Sequence, residues 1–332
     1  MKMRTAEFVS PGHPDKVCDV IADTVLDAYL AGDPKSRVAV EVMGGHRHLT
    51  LSGEVTSACA VDVPALVARV APGHAVHRYF SVQSPSIAQG VDAGGAGDQG
   101  IMTGYATRET EALMPLEYEL ARKLCRDIYA RYPFDGKTQV TVADGRVTAV
   151  VASFQNAPSG ELLPLVRLLI AADEYLVNPA GDWTLGGFDA DSGLSGRKIV
   201  VDNYGPEVGA GGGSFSGKDY TKVDRSGAYM ARRIAVDELR KHMGGGGAGH
   251  ADADADAAVF AVRAKLAYAI GKAEPVMAVA ELLDERGGVL RAVPVTGYDL
   301  SPAGIRSFLR LDAVRWADTA AWGHFGRGFS WG

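Results

Sequence analysis

The chain is predicted to fold as an α/β protein of three related units, and three observations carry that prediction. Paired strand-like runs followed by a helix occur three times along the sequence. At 332 residues, 47% hydrophobic and 22% charged, the chain is long enough for two or three domains or one large domain with a full core. Glycine is the compositional outlier, and much of its total of 41 sits in a few charged loops. No residue-level self-similarity accompanies the repetition, so the relation between the units is architectural.

The elements follow in order. Pro14–Leu30 reads as a helix, because Val17, Val20, Ile21, Val25 and Leu26 recur on one face. Arg37–Val42 alternates apolar and polar residues as a strand does, and His48–Thr56 is a second strand that Gly53 interrupts. Residues 64–71 form a short helix, and the Gly-rich segment Gln89–Gly104 breaks the pattern as a mobile loop. Leu116–Tyr132 is helical. Thr138–Val142 and Arg146–Phe154 make a hairpin turned by Asp144-Gly145, and a helix over Glu161–Ala172 follows. A third part begins near Gly186, with a strand at Lys198–Val201, a glycine loop, a helix over Arg225–Met243 and strands at Ala261–Ile270 and Val276–Leu283. The low-complexity run Gly244–Ala258 reads as a surface linker rather than a cation site.

Composition excludes several function classes. A net charge of -6 argues against nucleic-acid binding, which needs a basic face, and local cation clusters in an acidic chain suit a small anionic ligand. No run approaches the roughly 18 apolar residues of a membrane span. Met1–Phe8 lacks the apolar core of a signal peptide, so a cytoplasmic protein is expected. Cys18, Cys59 and Cys125 are scattered and odd in number, which implies reduced thiols rather than a disulfide framework or metal cluster.

The densest chemistry lies in Gly211-Gly212-Gly213-Ser214-Phe215-Ser216-Gly217-Lys218-Asp219, followed by Lys222, Asp224 and Arg225. Gly212, Gly217 and Lys218 nearly satisfy the spacing of a nucleotide P-loop, but Asp219 stands where a Ser or Thr would meet Mg²⁺. The run is a flexible loop or a polyphosphate cradle, and its three cations favour the cradle. Gly12-His13-Pro14-Asp15-Lys16 opens the first helix, where proline suits the first turn and free N–H groups attract anions; a cap with solvated charges is the plainer reading. Gly95-Ala96-Gly97-Asp98-Gln99-Gly100 has dinucleotide-motif spacing without the preceding strand, and looks instead like a loop that closes over substrate. Asp191, Arg197 and Lys198 around a glycine turn, and Asp135 with Lys137, are smaller clusters of clamp type or exposed turn charges. Several such clusters suggest a triphosphate, a divalent metal and a second substrate.

In sequence order, GHPDK (12–16), Gly53-Glu54, QSPSIAQGVD (83–92), GAGDQG (95–100), GYAT (104–107), Lys137-Thr138-Gln139-Val140, NPAGDW (178–183), GLSGRK (193–198), GGGSFSGKD (211–219), KVDRSGAY (222–229), YAIGKAEP (268–275) and GHFGR (323–327) resemble the S-adenosylmethionine synthetase, or methionine adenosyltransferase, family nearly end to end. The resemblance implies an α/β (α+β) fold of three interleaved, pseudo-threefold-related subdomains. Here they fall at 1–83, 95–185 and 186–332, with a gating loop at 84–94. It implies synthesis of S-adenosylmethionine from ATP and L-methionine with release of phosphate and pyrophosphate, two Mg²⁺ ions and a K⁺, and a site shared between subunits of a homodimer or dimer of dimers.

By the same resemblance, His13 stabilises the departing ribose oxygen, Asp15 and Asp224 hold Mg²⁺, and Glu41 falls at the K⁺ position. Lys16, Arg197, Lys198, Lys218 and Lys222 neutralise phosphates. Glu54 and Gln83 meet the methionine amino acid group with Ile270 near its side chain, while Asp98, Asp135, Lys137, Trp183 and Asp191 bind nucleotide or methionine. Trp183 replaces the family's usual Phe, which stacking on adenine tolerates. Sulfur attack on C5′ needs positioning and a cationic cradle for the leaving triphosphate, not a strong base. The chain is shorter than bacterial members between Val70 and Gln83, after Glu111 and between Asp92 and Gly94, and His46-Arg47-His48 is unusual. A specialised paralogue that takes another thioether or stops at tripolyphosphate, and a non-catalytic regulatory partner, are the alternative expectations.

Overall fold

A computed structural model describes residues 3–243 and 258–332. The chain runs β1 (Met3–Val9), α1 (Pro14–Gly32), β2 (Arg37–Gly45), β3 (His48–Thr56), α2 (Val63–Val70), β4 (Ala75–Ser81), α3 (Pro85–Asp92), β5 (Gly100–Thr107), α4 (Leu116–Tyr129), β6 (Gly136–Ala143), β7 (Arg146–Phe154), α5 (Ser159–Leu169), β8 (Glu174–Val177), β9 (Gly193–Leu194), α6 (Ile199–Asp202), α7 (Val223–Met243), β10 (Ala261–Tyr268), β11 (Met277–Leu283) and β12 (Val289–Pro294). Short helices at Pro302–Phe308 and Ala317–Ala320 complete the described residues.

These strands form three four-stranded sheets, ordered β1-β6-β7-β8, β4-β3-β2-β9 and β12-β11-β10-β5. Each sheet takes a strand from a distant part of the chain, which interleaves the three units. One helix packs on each: α4 against β1 and β6, α1 against β2, and α7 against β5 and β10. The core is built from these inner faces, with Cys18, Ile21, Val25 and Leu26 of α1 meeting Val38, Val40 and Val42 of β2. No described helix is long and apolar enough to cross a membrane, and Cys18, Cys59 and Cys125 are free thiols.

Helix α1 fixes the relation between the first and third parts. Asp15, Asp19, Asp23 and Asp27 recur every fourth residue on it, a spacing at which like charges repel unless each finds a partner. Each accepts backbone N–H bonds from the third part: Asp15 from Leu194 (2.9 Å), Asp19 from Gly196 (2.9 Å), Asp23 from Gly217 (2.8 Å), and Asp27 from Trp316 and Ala317 (2.8 and 3.0 Å).

Two sequence expectations are corrected. Lys198–Val201 is not a strand: β9 ends at Leu194, Gly196 turns the chain at φ 74°, and Ile199–Asp202 closes a helical turn with Asp202 N–H donating to the Lys198 carbonyl (2.8 Å). Tertiary context here overrides the β-propensity of an Ile-Val-Val run. Gln89–Gly104 is not one loop, since α3 occupies its start and β5 its end, paired to β10 more than 150 residues away. The low-complexity run lies, but for Ala258, outside the described residues.

Candidate active site

His13 caps the N-terminus of α1, with Pro14 in the first turn. Its Nδ1 accepts the Asp15 backbone N–H (3.1 Å), which assigns the ring hydrogen to Nε2. Burial, with Lys198 and Lys137 close by, pulls the ring down to about 4, so it is a neutral hydrogen-bond donor at ordinary pH. Beside it, Asp15 is buried and receives Lys198 Nζ at 2.5 Å, with Arg197 Nε at 3.8 Å. Burial alone would raise the Asp15 pKa, but the Lys198 and Leu194 bonds outweigh it and hold the carboxyl below its usual range. Asp135 and Lys137 enter from the start of β6, and Asp135 accepts the Gly187 N–H (3.0 Å). Asp191 acts electrostatically on both His13 and Asp135. Trp183 is tethered nearby, its Nε1 donating to Ser153 (3.2 Å) of β7, the strand paired with β6.

A second cluster lies at the other end of β2. The segment 217–219 adds an antiparallel bridge to that strand: Val40 N–H donates to the Gly217 carbonyl, Asp219 N–H donates to Val38 (both 3.1 Å), and Lys218 stands opposite Ala39. Gly217 has φ 79°, a conformation that favours glycine. Lys218 Nζ pairs with Asp224 (2.8 Å) at the start of α7, and Gly213 lies so close to that carboxylate that a Cβ would collide with it. Lys222 pairs with Asp219 (2.6 Å). Leu194 and Gly193 pair with Met43 and Gly44, so the two clusters are four to five residues apart along β2, about 13–17 Å at a strand's rise. Glu41 lies between them, accepting from Ser195 and from Ser214 (3.5 Å).

Beneath both clusters runs a buried ionic layer. Lys16 is fully buried between Asp19 (3.1 Å) and Asp202 rather than turned to a ligand. Burial opposes its charge, yet the two carboxylates outweigh burial and raise its pKa. Burial pushes Asp202 up to about 7 against the pull of Lys16. Asp23 and Arg225 form a two-pronged buried pair (2.6 and 2.8 Å), and Arg225 also donates to the Lys218 carbonyl (3.2 Å). The peptide segment carrying Lys218 is thus held on one side by Asp23 and on the other by Arg225. Asp19, Asp23 and Asp202 were not singled out from the sequence, and Asp219 was noted only for departing from the P-loop pattern; the fourfold spacing of the α1 aspartates is the signal that could have found the first two.

The residues expected to meet methionine differ in exposure. One sheet row reads Ser81, Glu54, Ala39, Lys218, so Glu54 shares the exposed sheet face with Lys218 and Glu41. Gln83 is buried and accepts from Arg37 (3.2 Å), which also pairs with Asp92 of α3. Ile270 is 50% exposed, in a turn whose Gly271 N–H donates to the Ala96 carbonyl and whose Lys272 carbonyl accepts the Ala96 N–H (both 2.8 Å). Asp98 is exposed, its only described contact being the Gln99 N–H. A surface cavity of about 1080 Å³, lined by Val17, Thr24, Leu66 and Trp322, lies apart from all of these residues.

The donor set suits hard cations. Asp15, Asp224 and Glu41 offer only oxygen, and among the described residues no three His, Cys, Asp or Glu side chains converge as a complete metal cage. Mg²⁺ characteristically binds through one or two carboxylates plus substrate phosphates and water.

An α/β enzyme with a neutral imidazole donor and cations divided between two carboxylate clusters is built for transfer from a polyanionic leaving group. The chain matches the N-terminal domain of S-adenosylmethionine synthetase over residues 1–87, its central domain over 93–182 and its C-terminal domain over 185–245 and 253–332. It is 39% identical to the S-adenosylmethionine synthase of Methylobacterium radiotolerans, over 98% of this chain and 94% of that one. It is 40% identical to S-adenosylmethionine synthase 1 of Frankia casuarinae, over 99% and 96%. The solved structure of an unusual S-adenosylmethionine synthetase from Campylobacter jejuni superposes with a TM-score of 0.83 at 30% identity, covering 100% of this chain and 96% of that one. The chain belongs to the S-adenosylmethionine synthetase family.

Proposed function

We propose that the protein is a methionine adenosyltransferase that joins the sulfur of L-methionine to C5′ of ATP, using His13 and the two cationic clusters to stabilise the leaving triphosphate. The observation that carries this reading is the His13 tautomer: Nδ1 is engaged by the α1 backbone, and the ring, kept neutral by burial with Lys198 and Lys137 near it, has Nε2–H as its donor. As the sulfur lone pair forms the C–S bond, the C5′–O bond breaks and its electrons pass to the triphosphate oxygen. Nε2–H is the donor for that developing charge. Lys198, Arg197, Lys218 and Lys222 take up the phosphates, with Asp135, Lys137, Trp183, Asp98 and Asp191 around the nucleoside and methionine. Glu54 and Gln83 receive the amino acid group, and Ile270 the thioether chain.

Asp15 and Asp224 would hold Mg²⁺, and Glu41 with Ser195 and Ser214 the K⁺. Bound metal supplies charge neutralisation on the phosphate oxygens. The lysines now paired with Asp15 and Asp224 would then turn to the phosphates. Lys16 has a different part: it neutralises Asp19 and Asp202 beneath the site. Hydrolysis of the tripolyphosphate to phosphate and pyrophosphate in the same cradle completes the proposed cycle.

We further propose a homodimer as the smallest working unit, acting in the cytoplasm. Met43 and Tyr79, 56% and 65% exposed, share a sheet face with Glu41, Glu54 and Lys218, which supports a partner covering that face. Mass spectrometry after incubation with ATP, methionine, Mg²⁺ and K⁺, with parallel phosphate and pyrophosphate assays, tests the chemistry. S-adenosylmethionine with equal phosphate and pyrophosphate is expected. Retained tripolyphosphate would overturn the second step, and no product would overturn the assignment. A fully active monomer in size-exclusion chromatography with light scattering would overturn the dimer.

A further inference from the structure

The motif GHFGR (323–327) has no part in the reaction as described so far, yet its histidine is fully buried among the elements that carry the site's cations. His324 reaches α6 twice. Its backbone N–H donates to the Asp202 carbonyl (3.0 Å), and its Nε2 lies 4.0 Å from the Asp202 carboxylate. Asp202 closes the helical turn that starts at Lys198, and its carboxylate also accepts from Lys16. On its other side the His324 ring meets Phe215 of the glycine loop edge-on, with centroids 4.9 Å apart. Its Nδ1 lies 2.6 Å from the Tyr229 hydroxyl of α7.

The directions of these bonds follow from the donors present. Arg225 can only donate, and its Nε does so to the Tyr229 oxygen (3.0 Å). The Tyr229 hydrogen is then left for His324 Nδ1, which assigns the ring hydrogen to Nε2. Burial, with Arg225, Lys16 and Arg327 close by, keeps the ring neutral. The opposite tautomer would set a lone pair against the Asp202 carboxylate. Nε2–H is too far from Asp202 for a full hydrogen bond, but in a buried setting its dipole still favours the carboxylate. A buried chain therefore runs from the Lys218 carbonyl through Arg225, Tyr229, His324 and Asp202 to Lys16.

We propose that His324 is a positioning residue for the adenosyl transfer, holding α6 and the glycine loop in one fixed relation so that Lys198 and Lys218 reach the same leaving triphosphate. This role rests on the reaction proposed above. Strand β2 spaces the backbones at Leu194 and Lys218, but α6 lies beyond the Gly196 turn (φ 74°) and needs an anchor of its own. His324 supplies it, acting through Asp202 on the turn that presents Arg197 and Lys198. Through Tyr229 and Arg225 it acts on the Lys218 peptide. Reacting groups displaced by about 1 Å can lose about a hundredfold in rate, so a shared anchor beneath both cations has a direct effect on turnover.

The test compares two substitutions in the intact enzyme. His324→Gln extends an amide N–H to where Nε2–H stood, whereas His324→Asn offers an oxygen to Tyr229 but does not reach the Asp202 carboxylate. His324→Asn should lower kcat about ten- to hundredfold, and His324→Gln should recover most of that loss. The KM for methionine should stay unchanged in both, because Glu54, Gln83 and Ile270 are untouched. Chemical denaturation run alongside shows whether each variant is folded at the assay temperature. Added to Lys198→Met, His324→Asn should cost less than about threefold further, since its effect passes through Lys198. Nitrogen-15 NMR of histidine-labelled wild type should show a protonated Nε2 and a bare Nδ1 for His324. The reverse tautomer would break the chain and overturn the proposal even if neither variant folds. Wild-type kcat in folded His324→Asn, equal losses in the two variants, or independent losses with Lys198→Met would overturn the positioning role and leave the reaction standing. No S-adenosylmethionine from the wild type would overturn the reaction, and this role with it.

Discussion

The two ends of β2 differ in how finished they are. At the Gly44 end, His13 and Asp15 are 5% and 1% exposed, and their orientation is fixed by the helix N-terminus, Leu194 and Lys198. At the Ala39 end, Lys218 and Glu54 stand on an open sheet face, with Ile270 and Asp98 on neighbouring turns. The first cluster is preorganised, so its dipoles need little rearrangement when charge develops. The second is held rigidly from below by Asp23 and Arg225 but left open above. That contrast leaves one end of β2 finished within the chain and the other open to a ligand or a covering element.

The largest expected effect probes the support beneath the open cluster. Asp23→Asn leaves Arg225 buried beside a neutral partner, which should cost about 3–5 kcal/mol of stability. Chemical denaturation would measure it, and a loss under about 1 kcal/mol would mean that the pair is not what holds Gly217 and Lys218. Next comes His13→Asn at the closed cluster, which should lower kcat by about 10²–10³ with little change in either KM. The sign of its pH effect is also fixed. The folded ring lies near 4, below its ordinary value of 6.5. The unfolded chain therefore binds more protons between those values, and the ring's contribution to stability is full above 6.5 and lost as pH falls toward 4. Asn at this position should flatten that part of the stability profile. A smaller effect belongs to Asp224→Asn, which should raise the Mg²⁺ concentration for half-maximal rate about tenfold, roughly 1.4 kcal/mol. An unchanged Mg²⁺ response would remove Asp224 from the metal.

How far the sequence could be read follows the same division between inside and edge. The six inner strands, β2, β3, β6, β7, β10 and β11, were all legible, since each alternates buried and exposed residues over much of its length. The six edge strands, β1, β4, β5, β8, β9 and β12, were not recognised from local pattern. The first four of β12's six residues are exposed in succession, β8 has no buried position, and β9 is two residues long. Such strands are defined by partners far away in sequence rather than by their own periodicity. The same holds for the site. Loop motifs exposed the cations and carboxylates, whereas the buried bonds of Asp19, Asp23 and Asp202 depend on contacts between residues nearly 200 positions apart. Lys16 shows the cost of reading a motif without depth: it sits within GHPDK, yet it is folded beneath the site.

Ile270→Val gives the smallest effect and the sharpest test of openness. Removing one methylene from a thioether-binding surface is worth about 1–3 kcal/mol only when that surface is fully desolvated. In the isolated chain Ile270 is half exposed, so Val should raise the KM for methionine less than about fivefold and leave kcat unaltered. A rise of about tenfold or more would mean that the side chain is buried in the working enzyme. Only a covering element, the gating segment tied to Gly271 or a second copy on the sheet face, could bury it. Measuring methionine binding, rather than turnover, across protein concentrations that dissociate the dimer separates those two: closure by the chain's own α3 segment is independent of concentration, whereas closure by a partner is lost with it.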